Sequence, residues 1–260
     1  MTDPVALRAK MYGEDDLSSI PVFGGGFINF GYWRDIPLTG VLTEQDRVRS
    51  QLDLYRQVYA GVGAGDRVVE VGSGLGVGAT WALGELGPAS ITGVDLNPAQ
   101  VERACSRAPQ DDRLTFVVGA AGDLPLADSS ADVVLSLEAA QHMDDLRGFA
   151  RSAHRVLRPG GRFVVSTFFV PDPSTVGQVS ERLETFASGV DREHPLPLFL
   201  EDLAVAGFSE VSAVSIGEHV WPGLDLWIAQ LGYAEDTWPR RWLTSYRDGL
   251  LDYYVVTATA

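Results

Sequence analysis

From Arg67 onward, short runs of β-branched and apolar residues alternate with stretches whose apolar positions recur at helical spacing, the rhythm of βαβ units. The pattern predicts strands over 67–71, 90–94, 113–118, 131–137, 161–169, 208–217 and 251–258, with helices between most of them. Runs such as Val133-Val134-Leu135 show no polar alternation, which predicts strands covered on both faces, as in a parallel sheet. Asn97-Pro98 opens a helix, Asn capping and Pro at the first helical position, and Arg158-Pro159-Gly160-Gly161 reads as a tight stop before the next strand. Earlier, Thr43 with Glu44 and Asp46 predicts a helix running to about Ala60, where the glycines at 61, 63 and 65 end it. Residues 1 to about 40 mix glycine and aromatics with little periodicity, and Gly24-Gly25-Gly26 reads as a lid hinge or a plain loop. Segments 171–197, with four prolines, and 219–247, with four tryptophans, break the alternation and read as insertions over one end of the sheet.

This organisation points to an α/β fold: a Rossmann-like, doubly wound, mostly parallel sheet, with an N-terminal helical segment and helical insertions capping the carboxyl edge. The 260 residues suit a single domain, divided into an N-terminal lid and helix (1–60), a core (61–170), and insertions with C-terminal strands (171–250). A net charge of -15 argues against nucleic acid and anionic membranes as partners. The N-terminus has no apolar core of signal-peptide length and no later stretch approaches ~20 apolar residues, so a cytoplasmic protein is expected. One cysteine and four histidines form no metal-ligand spacing, and no metal is expected. Lys10 is the only lysine, which argues against Schiff-base chemistry.

Glu70-Val71-Gly72-Ser73-Gly74-Leu75-Gly76 ends the first predicted strand and opens a helix, the context of a nucleotide-cofactor loop. Two registers compete. Gly74 to Ala79 matches a dinucleotide fingerprint, which would make the chain a nicotinamide-dependent oxidoreductase, but that register leaves Gly72-Ser73 as extra residues and gives Glu70 no role. In the other, Glu70, the three alternating glycines and Asp95 at the end of the second strand form one set.

With those residues, the sequence resembles the class I S-adenosylmethionine-dependent methyltransferases over about residues 30–170. The likeness rests on Glu70 to Gly76, Val94-Asp95-Leu96-Asn97, Gly119 to Leu126, Ser130 to Val134 with Leu137-Glu138, and Leu157 to Gly161. It is most similar to small-molecule methyltransferases of bacterial secondary metabolism, sugar O-methyltransferases among them, which share a Gly-Tyr-Trp like Gly31-Tyr32-Trp33 and a pattern like Leu137 to Met143. The resemblance implies a seven-stranded sheet with the seventh strand antiparallel, and S-adenosylmethionine as cofactor with S-adenosylhomocysteine as product. It implies that Asp95 accepts hydrogen bonds from both ribose hydroxyls and that Glu70 orients the methionine ammonium. Gly72, Ser73, Gly74 and Gly76 would form the floor, Leu96, Ala121 and Leu137 would lie near the adenine, and Tyr32 and Asn97 complete the cofactor set. Many relatives carry an acid where Ala120 stands, and Asp123 is the residue that would substitute for it.

Methyl transfer needs alignment first, and a base only when the acceptor is a hydroxyl or an acidic carbon. His142, just after the fourth strand, is the candidate base, and Glu138 would orient it if the segment makes a helical turn. Relatives often have a second histidine and a fifth-strand acid where Gln141 and Thr167 stand here. Aromatics including Phe30, Trp33, Phe168, Phe186, Trp221 and Trp227 offer apolar surface for a bulky or glycosylated natural product as acceptor, unless they are packing. Carbon methylation, a non-methylating cyclase of the same fold, and assembly into a homo-oligomer stay open.

Overall fold

The structure is a computed structural model describing residues 3–14 and 20–260. Residues 1, 2 and 15–19 of the expected N-terminal lid lie outside the described residues. The strands are β1 (Arg67–Val71), β2 (Ser90–Asp95), β3 (Leu114–Val118), β4 (Ala131–Leu137), β5 (Leu157–Phe169), β6 (Ser209–Ser215) and β7 (Asp252–Thr259). They form one seven-stranded sheet in the order β3-β2-β1-β4-β5-β7-β6. β1 pairs in parallel with β2 and β4, β2 with β3, and β4 with β5. Hydrogen bonds from Ile216 N to Tyr253 O and from Ser209 Oγ to Thr259 O run β6 and β7 antiparallel. All seven residues of β4 are buried, which is why its centre, Val133-Val134-Leu135, shows no polar alternation.

The α-helices among the described residues are α1 (Pro4–Ala9), α2 (Glu44–Val58), α3 (Val77–Leu86), α4 (Pro98–Arg107), α5 (Leu146–Val156), α6 (Glu184–Ala187), α7 (Leu196–Ala206), α8 (Trp221–Gln230) and α9 (Arg241–Arg247). The caps explain the boundaries. Thr43 Oγ1 accepts from Asp46 N while Asp46 accepts from Thr43 N, closing the start of α2. Asn97 accepts from Ala99 N to start α4, and Asp145 from Gly148 N to start α5.

One sequence expectation needs correction. Arg158 to Gly161 is not a stop ahead of β5; it lies within β5 itself, which begins at Leu157. Gly160 adopts φ +74, the register shifts between Ala131 and Val133, and Gly160 N and Gly161 O exchange hydrogen bonds with Ala260. The glycine pair is a bulge sewn into the sheet by the last residue.

Contacts divide the chain into two compact units: Met1–Gln57 with Phe168–Pro197 and Ser215–Tyr254, and Val58–Thr167 with Leu198–Val214 and Val255–Ala260. The N-terminal region and both irregular segments, read from sequence as parts of a single domain, thus cluster as one unit. Its core is aromatic: Trp221 stacks on Trp242 at 5.5 Å, Phe30 on Phe168 at 6.0 Å, and Phe186 lies 5.6 Å from Phe168. These rings pack against one another, so core packing accounts for them. The buried Arg47 donates to the carbonyls of Val22, Asn29 and Phe30, tying the non-periodic N-terminal stretch to α2. Gly25, at φ +63, runs so close to α2 that a Cβ would sit 2.7 Å from Val48 Cγ2.

In the other unit, Phe163 of β5 packs between Phe149 of α5 at 5.3 Å and Phe208 at 5.1 Å. Among the described residues no helix is long and apolar enough to cross a membrane.

Candidate active site

The second unit brings the carboxyl ends of β1, β2 and β4 together, because Glu70 aligns with Gly93 on one side and with Leu135 on the other. The glycine loop after β1, the turns after β2 and β3, and the segment after β4 all leave this edge. This is the edge where ligands of open α/β sheets bind.

Gly72, Gly74 and Gly76 all have positive φ, at 78°, 52° and 71°. Their reasons differ. A Cβ on Gly72 would sit 2.2 Å from Ala139 Cβ, and one on Gly76 would sit 2.4 Å from the Phe116 ring, so protein packing requires both. At Gly74 nothing lies within 4 Å, and its backbone borders open space. Ser73, expected in the floor, is buried, and its Oγ lies 2.8 Å from where Gly93 would carry a Cβ, directed at β2. Gly76 starts α3 in the left-handed region with no side-chain cap.

Asp95 closes the loop from β2. Its Oδ2 accepts from Gly74 N at 2.9 Å and its Oδ1 from Asn97 N at 2.9 Å. Each carboxylate oxygen retains a further acceptor position for a ribose hydroxyl. Burial raises the Asp95 acid above its usual range, offset in part by the backbone donors and by the charge of His142, which therefore lies within electrostatic reach. Asn97 contributes through its backbone N–H, while its side chain caps α4. Leu96 is 70% exposed beside it, an apolar side chain with no protein cover, whereas Leu137 is buried at the end of β4. The turn after β3 sets Asp123 across from Ala120 as bridge partners, with Asp123 N donating to Ala120 O, and leaves Ala121 half-buried between them.

Glu70 is 2% exposed. Its Oε2 accepts from the Tyr59 hydroxyl at 3.1 Å, and burial outweighs that bond, pushing the acid up to about 8. Tyr59, the first residue after α2, was invisible from sequence as a site residue; no spacing ties it to Glu70. Tyr32 belongs to the other unit, where its ring meets His219 edge-on at 5.3 Å.

After β4 the chain makes a 3-10 turn over Ala140–His142. The helical turn that would pair Glu138 with His142 is not there: Glu138 lies before it with φ +45, a left-handed conformation rare for a residue other than glycine. Its N–H donates to Ser166 O and its carbonyl accepts from Gln141 Nε2 at 2.8 Å. The two positions where relatives often carry ionisable groups meet directly here, Thr167 Oγ1 donating to Gln141 Oε1 at 2.7 Å. Among the described residues no group of three His, Cys, Asp or Glu side chains is placed to hold a metal ion.

These residues fit S-adenosylmethionine. A carboxyl sealed behind the loop suits an ammonium, Asp95 suits a ribose diol, and the loop crest at Gly74 is bare of side chains.

Comparison with known proteins agrees. Residues 69–165 match the family described as "Methyltransferase domain". Erythromycin 3''-O-methyltransferase of Saccharopolyspora erythraea is 34% identical over 219 residues, covering 80% of this chain and 70% of that protein. The 27-O-demethylrifamycin SV methyltransferase of Amycolatopsis mediterranei is 34% identical over 205 residues, covering 76% of this chain and 72% of that protein. The solved geranyl diphosphate C-methyltransferase of Streptomyces coelicolor A3(2) shares the fold with a TM-score of 0.79 at 20% identity, over 99% of this chain and 98% of that one. The nicotinamide register is set aside, and the chain belongs to the S-adenosylmethionine-dependent methyltransferases.

Proposed function

We propose that this methyltransferase methylates a hydroxyl of a bulky natural product, with His142 taking the proton. The observation that carries the reading is the placement of the His142 imidazole on the turn after β4, at the ligand edge of the sheet and within electrostatic reach of Asp95. Two relatives bear names of macrolide and rifamycin methyltransferases that act at oxygen, which favours a hydroxyl acceptor.

Bound S-adenosylmethionine supplies an electrophilic methyl group whose departure leaves a neutral thioether. The chain's own residues supply placement and proton removal. Glu70 would pair with the ammonium and Asp95 with the ribose, which would hold the cofactor in one orientation against the edge. His142 accepts the hydroxyl proton as the acceptor oxygen forms its bond to carbon, a contribution of ~10²–10⁴-fold for a positioned base.

The test is a panel of polyketide glycosides and aglycones with free hydroxyls, incubated with the protein and cofactor and read by mass spectrometry. Gain of one methyl group, located on oxygen by NMR, is the expected result. Transfer to carbon alone would overturn the oxygen reading, and no transfer with intact cofactor binding would favour the cyclase alternative.

A further inference from the structure

Gln141 precedes His142 in the same 3-10 turn and is 4% exposed. Both ends of its amide are fixed. Thr167, fully buried, donates its hydroxyl to Oε1 at 2.7 Å, and Nε2 donates to the Glu138 carbonyl at 2.8 Å. A backbone carbonyl only accepts, so the end facing Glu138 has to be the nitrogen. That nitrogen also lies 3.3 Å from His142 Nε2. An amide nitrogen donates and does not accept, so this contact is a hydrogen bond only when His142 Nε2 carries a lone pair in place of a proton.

We propose that Gln141 is a positioning residue that selects the tautomer of His142, with the proton on Nδ1 and the basic lone pair on Nε2. The inference rests on His142 as base and deepens it by naming Nε2 as the atom that receives the acceptor's proton. At 3.3 Å the Gln141 contact is longer than the usual 2.9–3.0 Å for such bonds, so an incoming hydroxyl displaces it at small cost. Thr167 and the Glu138 carbonyl keep the amide from turning its oxygen toward the ring. A carboxylate at 141 would do the reverse: it would accept from Nε2–H and hold the proton on the nitrogen that has to be free.

Two-bond proton–nitrogen correlation spectra of the ¹⁵N-histidine-labelled protein at alkaline pH, where imidazole is neutral, test this directly. The chain has four histidines, and His142→Asn identifies the signal of interest. The expected wild-type pattern shows an unprotonated Nε2 and a protonated Nδ1. Gln141→Leu should give a mixture of tautomers and Gln141→Glu the Nε2–H form. With an acceptor from the panel, Gln141→Leu should lower kcat roughly tenfold, the scale of one lost orienting interaction, with the KM for cofactor unchanged. Thr167→Val should lie between Gln141→Leu and wild type. An Nε2–H tautomer in the wild type would overturn the inference, and that spectrum, assigned with His142→Asn, decides even if the Gln141 and Thr167 variants fail to fold. The two readings fail separately: full turnover by His142→Ala removes the base and leaves the tautomer assignment intact, whereas a wrong tautomer with an inactive His142→Ala removes only the role of Gln141.

Discussion

The Tyr59 hydroxyl lies 3.1 Å from Glu70 Oε2, with both side chains closed off from solvent behind the glycine loop. Two neutral donors, the Tyr59 hydroxyl and the Ala79 backbone N–H, do not offset the burial of a carboxylate, so the acid is pushed up to about 8 from its ordinary 4.5. Between those values the folded protein holds a proton that the unfolded chain has released, and this group's contribution to stability falls as pH rises across that window. An ammonium held against Glu70 favours the ionised form. At pH 7, cofactor binding should therefore expel about one proton, measured by calorimetry in buffers of different ionisation enthalpy. Glu70→Gln should expel none, and a wild type that releases no proton would show that the ammonium lies elsewhere.

The glycine loop makes a prediction in which two neighbouring positions differ. Gly74→Ala meets open space and adds only the left-handed backbone cost of about 1–2 kcal/mol, so the variant should fold. Gly72→Ala adds a collision with Ala139, and its stability loss in urea titration should be clearly larger. Equal losses at the two positions would contradict the packing role assigned to Gly72.

Much of this unit was legible in advance, because β1 and β4 are buried on both faces and α4 begins at the Asn97-Pro98 cap. The glycines at 72, 74 and 76 marked the loop, but not which of them a neighbouring side chain requires. The start of β5 was misread because Pro159-Gly160-Gly161 carries the signals of a turn, and only the pairing with Ala260 makes it a bulge. Tyr59 with Glu70 and Gln141 with Thr167 join residues 11 and 26 positions apart, and such contacts leave no periodic trace along the chain.

Asp132, at the start of β4, accepts from the Arg67 backbone and guanidinium and from Arg158. The Arg67 hydrogen bonds hold its acid well below the usual carboxylate range. That contribution is present at neutral pH and is lost as pH falls below the ordinary aspartate value. Asp132→Asn should cost about 2 kcal/mol at pH 7, the scale of hydrogen bonds to a charged acceptor, and the gap to wild type should narrow in acid. A constant gap across pH would rule out the ionic origin.

Asp95 serves both loop and ligand. Asp95→Ala leaves Gly74 N and Asn97 N without their carboxylate and removes the ribose contact, so affinity for S-adenosylmethionine and S-adenosylhomocysteine should fall about 100-fold or more by calorimetry. Unchanged affinity would remove Asp95 from the cofactor site.

The most direct test of the proposed chemistry compares His142→Ala with wild type in steady-state transfer to an acceptor from the panel, with cofactor affinity measured alongside. A fall in turnover of roughly 10²-fold or more with unchanged cofactor affinity is the predicted result. Wild-type turnover in that variant would contradict it and leave the protein a methyltransferase that works by alignment alone.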